Sequence, residues 1–192
     1  VNLRYIGFGA TMVCTAGVLF AYIAASPFVY QNMMGMSATG YAIAFAINAI
    51  GMVSCTALSG KLVKRYSLEK LIALGLAVNV TAVAGIGLVT VSGADIRLMA
   101  ICFFFIVASL GFIFGNSTAV ALSAVDRAAV GTASAMIGMS QFALGGIATA
   151  TAGLSGENST VALAIVTAVS AACALSAFLV ARKAPVKVHR IG

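Results

Sequence analysis

Six stretches of this chain, about 5–29, 39–59, 71–92, 98–122, 131–153 and 160–181, are long, apolar and almost free of charge. Each reaches the roughly 20 helical residues, at 1.5 Å rise, that cross a hydrocarbon core about 30 Å thick. The breaks are short and carry turn chemistry or charge: QNMMGMSATG, GKLVKRYSLEK, SGADIR, SAVDRAAV and LSGENS, then the tail ARKAPVKVHRIG. No stretch alternates polar and apolar residues as a membrane strand does, so a barrel is not expected. Charged side chains cover a soluble surface, and they make up 8% of this chain against roughly 25% of an ordinary soluble domain. With a mean hydropathy of +1.12, the expected fold class is an all-α membrane protein, a six-transmembrane-helix bundle.

The same numbers exclude several function classes. A net charge of +7 suits nucleic acid only where a soluble fold presents it, so no nucleic-acid partner is expected. The cations have the lipid bilayer, with its anionic leaflet, as their partner. Cys14, Cys55, Cys102 and Cys173 lie in apolar runs without a CxxC spacing or clustered His, which fits neither a zinc site nor a disulfide scaffold. No nucleotide-binding loop appears. Neither a cofactor nor an enzymatic activity is expected. No cleavable signal pattern opens the chain, and it begins at Val1 rather than Met, so a preceding segment is expected.

Loop charge orients the spans. Four of the 11 Lys and Arg residues fall within SGKLVKRYSLEK, Ser59 to Lys70. With the N-terminus in the cytoplasm, Arg4, Lys61, Lys64, Arg65, Lys70, Arg127, Arg182, Lys183, Lys187 and Arg190 all lie inside, and Arg97 alone lies outside. By the positive-inside rule both termini are cytoplasmic, and residues 182–192 form a basic cytoplasmic tail. Three spans in each half then run in opposite senses, as a 3+3 inverted repeat requires. A sequence echo agrees with this: Asn48 precedes Gly60, and Gln141 precedes Gly153, by the same interval. That interval corresponds to about 18 Å of helix and sets both amides near the midplane.

Two longer passages carry a resemblance. They are YIAASPFVYQNMMGMSATGYAIAFAINAIG and GNSTAVALSAVDRAAVGTASAMIGMSQFALGG. Their Ser-Pro-Phe, Gly-Asn-Ser-Thr and Gly-Thr-Ala-Ser-Ala, in this order, resemble helices seven and eight, and ten and eleven, of the Bcr/CflA-type drug-resistance transporters of the major facilitator superfamily. The resemblance implies that residues 1–192 are the C-terminal transmembrane half of a twelve-helix protein in the bacterial inner membrane. The N-terminal six-helix half would be its partner. It further implies proton-coupled export of small lipophilic drugs by alternating access. The family's cytoplasmic loop motif, Gly-x-x-x-Asp-Arg-x-Gly-Arg-Lys, is present as an eroded copy. Gly60, Arg65 and Lys70 match it, whereas Lys64, Ser67 and Glu69 stand where Asp, Gly and Arg belong.

Polar groups in hydrocarbon need partners. Candidates within the spans are Tyr22, Ser26, Asn48, Asn79, Asn116, Ser140 and Gln141. Tyr22, Ser26, Asn48, Asn116 and Gln141 are expected to line a substrate cavity, the alternative being that they join helices. Phe105 and Phe112 share a helix face, where they stack on a ligand or pack. Gly111 and Gly115, then Gly131, Ser134 and Gly138, form small-residue patterns that permit close helix approach. Glu69, Asp95, Asp126 and Glu157 all map to loops, so a coupling carboxylate belongs to the other half. An uncharged wall suits neutral or amphipathic compounds. The competing readings are half of a metabolite transporter, for a sugar or nucleoside, and a non-transporting membrane scaffold fragment.

Overall fold

A computed structural model describes residues 2–153 and 160–184 of the chain, so Glu157, Lys187, His189 and Arg190 lie outside the described residues. Helix α1 spans Leu3–Pro27 and continues as a π-helical turn, Phe28–Met33. It is followed by α2 (Ala38–Leu62), α3 (Leu68–Ser92) and α4 (Leu98–Ser123). A 3₁₀ turn at Arg127–Ala129 leads into α5 (Val130–Ala152), and α6 covers Val161–Ala181. All six helices are long and apolar enough to cross a membrane, and the protein is a multi-pass membrane protein.

The helix ends follow from local chemistry. Asn2 caps α1, its Oδ1 accepting the N–H groups of Arg4 at 3.1 Å and Tyr5 at 3.4 Å. Ser37 caps α2 through a 3.1 Å bond from the Gly40 N–H. Gly93, at φ 64, closes α3 in the left-handed region, where only glycine sits without strain. The first helix outruns its expected end at 29, and Pro27 explains how. Proline has no N–H for the carbonyl of Ile23, four residues back. The Ser26 hydroxyl donates to that carbonyl instead, at 3.3 Å, and the chain keeps winding.

Helices α1 and α4 form the inner pair. α1 packs on α4, α5 and α6; α4 packs on α1, α2 and α3; and α3 meets α6. Exchanging the first three helices for the last three leaves this pattern unchanged, which is the symmetry of a 3+3 inverted repeat. Lipid supplies no hydrophobic drive between helices, so backbone proximity decides the contact. A Cβ on Gly111 would come within 2.6 Å of the Met52 carbonyl and the Thr56 nitrogen of α2. Gly115, Gly131 and Gly138 face open space, so the expected small-residue pairs reduce to Gly111 in α4. In α5 the close approach falls instead at Gly145, against the Phe20 ring.

The basic end is held together by the first turn of α1. Asn2 donates to the Ala124 carbonyl at the end of α4. Tyr5 donates to the Ala133 carbonyl in α5 at 2.9 Å. Arg4 pairs with Glu69 of α3 at 2.5 Å and donates to the Ala184 carbonyl beyond α6 at 3.4 Å. The expectation that Glu69 belongs to a loop is corrected here. Glu69 and Lys70 form the first turn of α3, where a carboxylate meets the positive helix end, and Lys61 lies in the last turn of α2.

Candidate functional site

Tyr22 and Ser26 lie one turn apart in α1, and Tyr30 follows in the π turn. Tyr41, Phe45 and Asn48 are spaced by four and three along α2 and so share its inner face. Phe103 joins them from α4. The Tyr22 ring is stacked on Phe45 (centroids 6.0 Å apart) and meets Phe103 edge-on at 5.1 Å. Tyr30 packs on Tyr41 at 5.9 Å and on Phe103 at 5.7 Å, and Tyr41 closes the circuit onto Phe45 at 6.0 Å. Such offset and edge-on pairs satisfy the ring quadrupoles.

Polar atoms thread through these rings. Asn48 Nδ2 donates to the Tyr22 hydroxyl at 3.0 Å. Ser26 Oγ lies 3.2 Å from the Tyr41 hydroxyl. Because Ser26 donates to Ile23, Tyr41 is the donor of this bond. Tyr22, Tyr30, Phe103, Ser26 and Asn48 are buried, while Phe45 keeps 37% of its surface exposed. Asn48 and Tyr30 also line a groove of about 290 Å³ with Ala44, Ile47, Ala100 and Phe104. The assembly therefore offers aromatic faces and neutral hydrogen-bonding groups, and among the described residues no charged side chain is in contact with it.

Of the residues expected at a cavity, Tyr22, Ser26 and Asn48 meet here. Asn116 lies some 20 Å further along α4 than Phe103. Its Nδ2 donates to Ser59 Oγ at 2.8 Å and to the Phe112 carbonyl at 2.7 Å, bridging α4 to α2. Gln141 is half-buried on the face of α5 that packs on α1 and makes no hydrogen bond to any described residue. Asn79 donates to Ser109 Oγ at 3.0 Å, between α3 and α4. Ser140 is exposed beside a groove of about 300 Å³ lined by Tyr5, Ile6 and Met136. Phe105 and Phe112 line another groove, of about 410 Å³, with Ile47, Ser54 and Ser109. In the loop motif, Gly60 is helical, Lys64 and Arg65 form the turn, and Lys70 opens α3.

Tyr30, Tyr41 and Phe45 are inconspicuous in the sequence, and Phe103 stands out there only as the first of three consecutive phenylalanines. The spacing of Tyr41, Phe45 and Asn48 was the available signal, and a face-by-face reading of the second span would have carried it. Among the described residues, no three His, Cys, Asp or Glu side chains gather as a metal site would require.

Comparison with known proteins adds the following. The sequence model of the Major Facilitator Superfamily matches residues 3–150. The "Uncharacterized MFS-type transporter YdgK" of Bacillus subtilis (strain 168) is 25% identical over 150 residues, which is 78% of this chain and 37% of that protein. The "Bicyclomycin resistance protein homolog" of Haemophilus influenzae is 29% identical over 133 residues, 68% of this chain and 33% of that protein. This chain thus spans roughly a third of the length of these curated relatives.

Proposed function

The chain belongs to the Major Facilitator Superfamily, a family of transporters, and from that premise we propose that it is the C-terminal six-helix half of an exporter of small lipophilic drugs. The observation that carries the reading is the uncharged cluster of rings and hydroxyls at Tyr22, Tyr30, Tyr41, Phe45 and Phe103, held in place by Asn48 and Ser26. Rings give a lipophilic compound stacking surface, and a few neutral donors and acceptors orient it without demanding a charge. The similarity to a bicyclomycin resistance homolog favours a drug over a sugar or nucleoside, for which a denser set of polar groups would be needed.

The partner is the N-terminal six-helix half, with which α2 and α5 would line the path. Each buries a single stripe against its own bundle and leaves large apolar residues outside, among them Ile50 and Val53 in α2 and Met139 and Phe142 in α5. Export is coupled to protons. Glu69, Asp95 and Asp126 sit at helix ends or in turns, so the titrating group of the interior belongs to the other half. The basic helix ends face the cytoplasm, as do both termini, in a bacterial inner membrane.

Purified full-length protein in liposomes, given an outward-directed proton gradient (acid inside), is expected to accumulate bicyclomycin against its concentration gradient, protons leaving as the drug enters. Transport that ignores the gradient would remove the coupling. The absence of bicyclomycin transport, with uptake of a sugar or nucleoside in its place, would overturn the drug reading.

A further inference from the structure

The two wing helices, α2 and α5, bury the same positions. In α2 the stripe turned inward is Ala44, Asn48, Gly51, Met52, Cys55 and Ser59. Adding the interval from Asn48 to Gln141 to each of these lands on Ile137, Gln141, Leu144, Gly145, Ala148 and Ala152, all withdrawn from the surface of α5. Asn48 and Gln141 are therefore equivalent residues of the inverted repeat, each on the inner stripe of a wing. Their surroundings differ completely.

The donor of Asn48 is committed to Tyr22, and the amide is 3% exposed. Gln141 stands between neighbours that touch α1. Ile137 lies against Gly9, Leu144 against Gly17, and Gly145 against Phe20. The stretch of α1 between Gly9 and Gly17 presents Met12, Val13 and Ala16, all apolar. Its two hydroxyls bond to their own helix, Thr11 to the Gly7 carbonyl at 2.8 Å and Thr15 to the Thr11 carbonyl at 2.6 Å. Gln141 thus carries two N–H donors and a carbonyl acceptor into the membrane interior, with nothing on the facing helix to pair them. An unpaired amide there costs several kcal/mol. The Ser170 hydroxyl of α6, which lies beside Gly17 and Leu144, makes no bond to it, so Gln141 is left open to a polar partner from outside this bundle.

Resting on the transporter reading above, we propose that the two equivalent amides have divided their labour: Asn48 ties α1 to α2, and Gln141 is the residue that reads the ligand. A carboxamide with adjacent donor and acceptor pairs best with a neutral group of the same kind, such as a lactam or a primary amide, which can accept and donate together. Among the described residues the middle of α5 and the facing stretch of α1 carry no charged side chain, which turns away strong acids and bases.

Two measurements on the full-length protein decide this. In a background with Cys14, Cys55, Cys102, Cys173 and every cysteine outside this chain replaced by Ser, Gln141→Cys is expected to react with a hydrophilic thiol reagent, and Asn48→Cys to resist it. An unreactive Gln141→Cys would overturn the proposal whatever the substrate proves to be. In liposomes, Gln141→Leu should weaken bicyclomycin transport roughly fivefold, the size of one hydrogen bond, with an unchanged melting temperature and partial recovery in Gln141→Asn. Wild-type activity toward bicyclomycin with an equally active Gln141→Leu would also overturn it, as would a melting temperature lowered as far as in Asn48→Leu. A wild-type protein inert toward bicyclomycin counts against the drug reading alone, and the thiol experiment still decides the role of Gln141.

Discussion

At the scale of single residues, the three asparagine amides of the interior are three different cases. Asn48 gives its donor to Tyr22, and Asn116 gives its own to Ser59 and a carbonyl. Asn79 donates to Ser109 but leaves its buried Oδ1 without a partner among the described residues. Removing one member of a satisfied pair strands the other, whereas removing a half-satisfied group relieves a cost already present. We therefore expect a double-mutant cycle of Asn48→Ala and Tyr22→Phe, read by chemical unfolding in mixed micelles, to give a coupling of about 0.6–1.7 kcal/mol. In the same assay Asn79→Leu should be neutral or stabilising, because Ser109 keeps its bond to the Ile106 carbonyl. A large loss of stability in Asn79→Leu would mean that Oδ1 has a partner after all. Polar residues in apolar spans announce themselves in a sequence, and Tyr22, Ser26 and Asn48 were legible for that reason. Their aromatic neighbours were not, because a ring within an apolar run is no more conspicuous than a leucine.

At the scale of the element, helix existence was legible and helix contact was not. Hydrocarbon thickness dictates span length, so the six spans could be read from runs of apolar residues alone. Which glycine meets another helix depends on the crossing point, and GxxxG spacing cannot say which of its two glycines lies there. Gly111 sits against the backbone of α2, and Gly115 sits against nothing. Gly111→Ala is expected to cost about 1–3 kcal/mol, the range for overpacking a close contact. Gly115→Ala should gain up to about 1 kcal/mol from helix propensity. Thermal unfolding of the two variants side by side checks both signs, and equal effects would contradict the assigned crossing. The π turn at Phe28–Met33 was invisible for a related reason. It depends on Ser26 serving the carbonyl that Pro27 leaves free, and on Tyr41, in the next helix, holding Ser26 in place.

At the scale of the whole molecule, the inverted repeat was readable only as a parity of spans and one echo between two amides. Its physical content is the pattern of neighbours, with α1 and α4 inside and α2 and α5 as wings, and no local sequence signal encodes which helices become neighbours. The charge asymmetry does make an orientation testable. Arg4, Lys61, Lys64, Arg65, Lys70, Arg127, Arg182 and Lys183 gather at one end of the helices, and Arg97 at the other. Alkaline phosphatase inserted after Ala94, between α3 and α4, is expected to be active, because that enzyme folds only outside the cytoplasm. The same insertion after Lys64 is expected to be silent. The reverse pattern would invert the topology.

The company that α1 keeps has a consequence for how the protein is made. Its close helix neighbours are α4, α5 and α6, and Arg4 holds the Ala184 carbonyl beyond the last helix. At about 5–20 residues per second, the ribosome needs on the order of ten seconds to pass from α1 to the end of α4. Through that interval the first helix waits in lipid without its lasting neighbours. Thr11, Thr15 and Ser26 all bond to carbonyls of their own helix, so these three hydroxyls are satisfied from the moment it is inserted. Asn48 and Asn116, by contrast, are borne by later helices whose partners, Tyr22 in α1 and Ser59 in α2, are by then already in the bilayer.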